Sequence, residues 1–218
     1  MLSITGVHMP RLVVYLGPSL SIEQANAVVD ADYLPPIKRG DLAQVPADTC
    51  VIAIIDGEFY QSLAVTPKEI LELLARGVVV YGASSMGALR AAELHPYGMI
   101  GVGEIFRMYR DGILDADDEV AQLYTPDTFV SCSEPLVNIR FALDSATRAG
   151  IISSYRADEL VRRLKSLYFP DRSYRLVSQL CPELTSFLQN TVSLKANDAK
   201  LLLSLLATRV RAKHAEDN

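Results

Sequence analysis

The sequence predicts an α/β protein, a parallel-sheet core of strand-turn-helix units followed by a C-terminal helical appendage. Three observations lead there. Short apolar β-branched runs alternate with helical segments over the first hundred residues, which implies parallel strands joined by crossovers. Thr49 to Ile55 is apolar almost without a break, as in a strand covered on both faces. From Glu134 onward the apolar residues adopt helical spacing, as in Leu136, Ile139 and Leu143. The chain accordingly divides into an α/β core over residues 11–132 and a helical region over 133–218.

Arg11 to Leu16 is the first strand, stopped by Gly17-Pro18-Ser19, after which Ser21 caps a helix carrying Glu23 and Gln24 in its first turn. Asp32-Tyr33-Leu34 reads as a short second strand and Gly40-Asp41-Leu42 as the start of a helical turn. The Thr49–Ile55 strand ends in Asp56-Gly57-Glu58-Phe59. Thr66 caps and Pro67 opens a helix through Arg76, with Gly77 just past its end. Val78-Val79-Val80-Tyr81 is a strand running into Gly82-Ala83-Ser84-Ser85-Met86-Gly87, and a helix from Met86 to Leu94 is closed by Pro96. Gly98 to Gly103 reads as an apolar connector before a helix over Ile105 to Arg110. Leu201, Leu202, Leu203, Leu205 and Leu206 make a helix nearly apolar all round, buried internally or against a partner.

The bulk composition excludes several classes. With 218 residues, half of them hydrophobic and 22% charged, the chain can bury a sizeable core. A net charge of −5 with scattered Lys and Arg offers no basic stripe for nucleic acid. No apolar run reaches the roughly 18 residues of a membrane span, and Met1 to Gly6 lacks the basic and apolar regions of a secretory signal, so a cytoplasmic protein is expected. Met9 offers an alternative start. Cys50, Cys132 and Cys181 are isolated, and no metal site is expected. Cys50 is read as a buried thiol, and Cys132, before a helix start, as the better reactive candidate.

Ligands of open parallel sheets collect beyond the carboxyl ends of the strands. The turns at Gly17-Pro18-Ser19, Asp56-Gly57-Glu58 and Gly82 to Gly87 therefore point to one crevice. The third has small-x-Ser-x-Gly spacing about Ser85, as in a nucleophile elbow, with the Met86 and Gly87 amides placed to hold an oxyanion. The same residues also fit a plain helix start capped by Ser84. His95 stands ten residues after Ser85 on the same helix, roughly 15 Å away, and His8 and His214 lie near the ends, so a serine-histidine triad is not expected. The activator is sought among Asp56, Glu58 and Glu104. Arg90 either pairs with Glu93 or anchors a carboxylate.

Gly82-Ala83-Ser84-Ser85-Met86-Gly87-Ala88-Leu89-Arg90-Ala91-Ala92-Glu93-Leu94 resembles the core of the TfuA-like family. The resemblance runs on through Tyr97-Gly98-Met99, Gly101-Val102-Gly103, Ile105-Phe106 and Asp117-Asp118-Glu119-Val120-Ala121, and back to Leu16-Gly17-Pro18-Ser19 and Asp56-Gly57-Glu58-Phe59. It implies a partner of YcaO enzymes in backbone thioamidation of peptides, including ribosomally made natural products. YcaO activates the amide with ATP; no P-loop stands in this chain, so no cofactor is expected here. The implied activity is hydrolysis of a thiocarboxylated ThiS-like sulfur carrier, with help in binding the precursor peptide. Ser85, or secondarily Ser84, attacks or polarises the thiocarboxylate, and Asp56, Glu58 or Glu104 positions water. Gly17, Ser19, Gly57, Met86, Gly87 and Arg90 are expected to bind substrate. Two alternatives stand beside this: a non-catalytic module docking YcaO, carrier and peptide, and an esterase-like hydrolase of small acyl compounds.

Overall fold

The computed structural model describes residues 11–59 and 62–216, with side chains as far as residue 212. His8, Met9 and the His214 side chain lie outside the described residues. Five parallel strands form one sheet in the order β2-β1-β3-β4-β5: β1 Arg11–Tyr15, β2 Asp32–Leu34, β3 Thr49–Ile54, β4 Val79–Ala83 and β5 Ile100–Val102. Helices α1 (Ile22–Asn26), α2 (Pro67–Ala75), α3 (Met86–Leu94) and α4 (Glu104–Arg110) fall between and after the strands. Then follow α5 (Leu136–Arg148), α6 (Ser154–Lys165), α7 (Tyr174–Leu180), α8 (Thr185–Leu188) and α9 (Leu194–Glu216).

Local signals set the boundaries. Ser21 accepts from the Gln24 amide at the start of α1, and Thr66 with Glu69 closes a reciprocal capping box around Pro67 at the start of α2. Gly77 takes a left-handed φ of 82° directly after α2. The segment Gly98–Gly103 departs from the expected connector, because its centre pairs with β4 as the fifth strand. Three residues around Gly101 carry no alternation from which a strand could be read.

Alternate strand residues separate the two faces. Tyr15, Ile52, Ile54 and Val80 pack with residues of α2, α3 and α4. Val14, Ala53, Ile55 and Tyr81 pack with α1 and with Leu202, Leu203 and Leu206 of α9. Helices α5 to α8 gather a further apolar cluster, while α9 returns to the sheet. Its buried stripe is Lys195, Asp198, Ala199, Leu202, Leu203, Leu206 and Ala207, a helical repeat. Leu201 is 53% exposed, so α9 is amphipathic and not apolar all round as its leucine count predicts. Cys50 is likewise exposed, a correction to the buried thiol expected: it stands at the start of β3 beside a groove bordered by Leu206 and Arg209. Cys132 is exposed and Cys181 buried.

The close fit of α3 to β3 rests on Gly87. A Cβ there would lie 1.7 Å from the Ile54 carbonyl oxygen, inside any tolerable contact. Gly87→Ala is therefore expected to destabilise the fold by about 3 kcal/mol or more, although alanine ordinarily strengthens a helix, and denaturant unfolding measures it.

Asp198 joins α9 to α4. Its carboxylate accepts the Glu104 amide at 3.0 Å and the Ile105 amide at 2.8 Å. Burial pushes this carboxyl up to about 6, against the lowering effect of the two amides. The folded protein thus holds the Asp198 proton more tightly than the unfolded chain, and that contribution is lost as pH rises through about 6. Relative to Asp198→Asn, the wild type should lose up to about 3 kcal/mol between pH 4 and 6.5 and then level off. Unfolding curves across that range check it; parallel profiles would contradict it.

Candidate active site

In the strand order found here the chain changes direction between β1 and β3, and open α/β sheets hold their ligands beyond the carboxyl ends of strands at such a point. Asp56, directly beyond β3, stands there and is 1% exposed. Its Oδ2 accepts the Gly17 amide at 2.9 Å and the Ser19 amide at 3.0 Å. Its Oδ1 accepts the Ser19 hydroxyl at 2.6 Å. The turn after β1 is thus tied to the turn after β3 by one carboxylate.

Ser84 joins them from the end of β4. Its Oγ lies 2.8 Å from Ser19 Oγ, and the residue is fully buried. Ser19 has a single proton and donates it to Asp56, so in the bond between the two hydroxyls Ser84 is the donor. The chain Ser84→Ser19→Asp56 leaves the Ser84 lone pairs outside it. Ser84 also has φ 68°, in the left-handed region that residues with a Cβ rarely enter. The amides of Ser85 and Gly87, both donating to the Ile55 carbonyl at 3.2 and 3.3 Å, fold the chain back over β3 and hold that turn.

Ser85 sits differently. It is 2% exposed, provides no side-chain cap for α3, and among the described residues its hydroxyl reaches only the Val120 carbonyl, at 3.5 Å. Of the two amides expected to hold an oxyanion, that of Gly87 is taken by Ile55, and that of Met86 has no backbone partner among the described residues. Gly57 packs against Met86, where a Cβ would come within 2.6 Å of the Met86 side chain.

The other residues expected at the site are placed as follows. Glu58 borders a cleft of about 250 Å³ with Tyr15, Pro36 and Lys38, and accepts the Ser62 hydroxyl. Glu104 opens α4 and pairs with Arg107; among the described residues it makes no hydrogen bond to the Asp56 cluster. Arg90 donates to the Val65 carbonyl at 2.9 Å and pairs with Glu93, so it is engaged away from the serines. His95 ends α3 with Nδ1 3.0 Å from the Ala92 carbonyl.

Lys195 is the residue that sequence reasoning missed. It enters from the first turn of α9, is 1% exposed, and puts Nζ 3.7 Å from Asp56 Oδ1 and 3.1 Å from the Val120 carbonyl, with Gln122 as a further acceptor. Burial lowers its proton affinity, against the raising influence of Asp56 and Glu134. The signal was available: extending the buried stripe of α9 back from Leu202 and Ala199 lands on Asp198 and Lys195, two charges on an apolar face. Val120 is itself anchored, because buried Glu119 before it takes two hydrogen bonds from Arg140, at 2.9 and 2.8 Å, and the Asp118 carbonyl accepts from buried Arg172 at 2.9 Å. Tyr124 completes the surroundings; burial, with Glu58 and Asp56 nearby, pushes its phenol up to about 12.

Among the described residues no cluster of His, Cys, Asp and Glu could hold a metal ion, and no helix is long and apolar enough to cross a membrane.

A parallel sheet at whose carboxyl edge a strained serine, a second hydroxyl, a carboxylate and a lysine come together, with helices on both faces, defines a doubly wound α/β protein with a buried polar cluster at that edge. The model of the TfuA-like protein family matches residues 56–173, just over half of the chain, and the chain belongs to that family. Membership supports, at family level, a role in YcaO-associated thioamidation. No curated protein matches the chain.

The φ of Ser84 gives a direct check on its strain. Ser84→Gly and Ser84→Ala both lose the hydroxyl, but only glycine relaxes at φ 68°. The glycine variant is expected to be more stable than the alanine variant by about 0.5–1 kcal/mol, the reverse of the usual order, in paired unfolding experiments.

Proposed function

We propose that this protein serves YcaO-dependent thioamidation of peptide backbones by hydrolysing the thiocarboxylate of a ThiS-like carrier, which supplies sulfide, and that it aids binding of the precursor peptide. The observation that carries the reading is the hydrogen-bond chain from Ser84 through Ser19 to Asp56. It favours Ser84 over Ser85 as nucleophile, because among the described residues only Ser84 has a hydrogen-bonded route for its proton to a carboxylate.

In this mechanism Ser84 Oγ adds to the thiocarboxylate carbon. Its proton passes to Ser19 as Ser19 passes its own to Asp56. The Met86 amide, which has no backbone partner among the described residues, supplies the donor for the developing oxyanion in buried surroundings. Collapse breaks the carbon–sulfur bond, and the sulfur leaves as sulfide with the returned proton. The carrier is left as an ester on Ser84. Water then cleaves the ester, giving the carrier carboxylate and restoring the serine hydroxyl.

Ser84, Ser85 and Asp56 are all buried. This favours a second reading, a docking module that joins YcaO, carrier and peptide without cleavage. Purified protein given thiocarboxylated carrier alone, without YcaO or ATP, separates the two. The hydrolase reading expects sulfide release that falls on the order of 10³-fold or more in Ser84→Ala and stays within about tenfold of wild type in Ser85→Ala. A stable complex without sulfide supports docking, and an unaffected Ser84→Ala rules out the nucleophile assigned here.

A further inference from the structure

We propose that Lys195 is a positioning residue for the Ser84 reaction, holding the Asp56 carboxylate from the side opposite the two loop amides, so that the C-terminal helix α9 completes the active site. The inference rests on Ser84 being the nucleophile. Lys195 lies outside the segment that the family model covers, and 139 positions separate it from Asp56 in the chain.

The geometry is specific. Asp56 Oδ2 is occupied by the Gly17 and Ser19 amides, and Oδ1 by the Ser19 hydroxyl on one side and the Lys195 ammonium on the other. The ammonium is fixed in turn by the Val120 carbonyl and by Gln122. Its backbone is fixed as well: the Lys195 amide donates to Asn138 Oδ1 at 3.1 Å, and the next amide, of Ala196, to Ser193 Oγ at 3.1 Å. A lysine serving only to anchor α9 would not need to cross to a carboxylate beneath the serine turn. The charged and titratable groups facing the pair are Glu134 ahead of α5 and the Tyr124 phenol after the Asp117–Glu119 turn.

The function of the ammonium follows from the direction of the proton chain. An ionised Asp56 only accepts, which forces Ser19 to donate to it and Ser84 to donate to Ser19. A protonated Asp56 can donate to Ser19 and turn the chain around, so that Ser84 loses its acceptor. Removing the ammonium leaves a buried carboxylate without its countercharge and favours that protonation.

Two measurements test this on the full chain. In sulfide release from thiocarboxylated carrier, Lys195→Met should move the acid limb of the pH profile up by about one pH unit or more. Leu202→Ala, which loosens the same helix on the sheet, should leave the limb in place. An unmoved limb in Lys195→Met would overturn the proposal. The second readout needs no activity: the double variant Asp56→Asn with Lys195→Met should have a folding equilibrium constant at least about tenfold larger than Lys195→Met alone, because the stranded carboxylate is gone. A double variant no more stable than the single one also overturns the proposal. Should the wild type release no sulfide, the hydrolase reading fails, and this stability comparison still decides whether Lys195 holds Asp56.

Discussion

One buried carboxylate organises the carboxyl edge of the sheet in this protein. Taking Asp56 out of water is unfavourable unless every lone pair finds a donor, and the fold supplies three hydrogen bonds and an ammonium within 3.7 Å. Each donor comes from a chain segment that must be in place first: the turn after β1 for the amides of Gly17 and Ser19, and the first turn of α9 for Lys195. The sheet order makes this convergence available, since β1 and β3 are neighbours and their connections leave in different directions. Asp56 therefore reads as the point where sheet topology becomes chemistry.

The serine turn inherits its character from that carboxylate. Ser84 is held at a backbone angle unfavourable for serine, by amides that bond to the Ile55 carbonyl and by the tight seat of Gly87 on β3. Its hydroxyl then meets an oxygen whose own proton is already given to Asp56. Neither feature alone distinguishes a catalytic serine from a structural one. Together they give a hydroxyl whose proton has a defined path while its lone pairs stay outside that path. The segment around Val120 belongs to the same construction. Buried Glu119 with Arg140, and Asp118 with Arg172, anchor the turn whose carbonyl receives both Lys195 and Ser85.

Much of this was legible in the sequence. Four of the five strands, the caps at Ser21 and Thr66, and the convergence of the turns after β1, β3 and β4 follow from periodicity and turn chemistry, which act over a few residues. Ser19, Asp56 and Ser84 could be named because each stands at a strand end. The choice between Ser84 and Ser85 could not be made, since a one-residue difference in which serine takes the positive φ is decided by packing against Ile54 and Ile55. The strand β5 escaped because three residues around a glycine carry no pattern. Lys195 escaped for a different reason: the leucines after it establish that α9 is buried but not which surface buries it, and the partner of a buried lysine is a fact of tertiary structure. Cys50 departs from the expected buried thiol because it borders an open groove between β3 and the later turns of α9, and an apolar run does not show where such a groove falls.

The direction of the protons around Asp56 is read by neutron diffraction from a deuterium-exchanged crystal. Deuterium should be found on Ser84 Oγ pointing to Ser19, on Ser19 Oγ pointing to Asp56, and on neither carboxylate oxygen. Deuterium on Asp56, or a Ser19 hydroxyl turned toward Ser84, would exclude a proton path from Ser84 to Asp56.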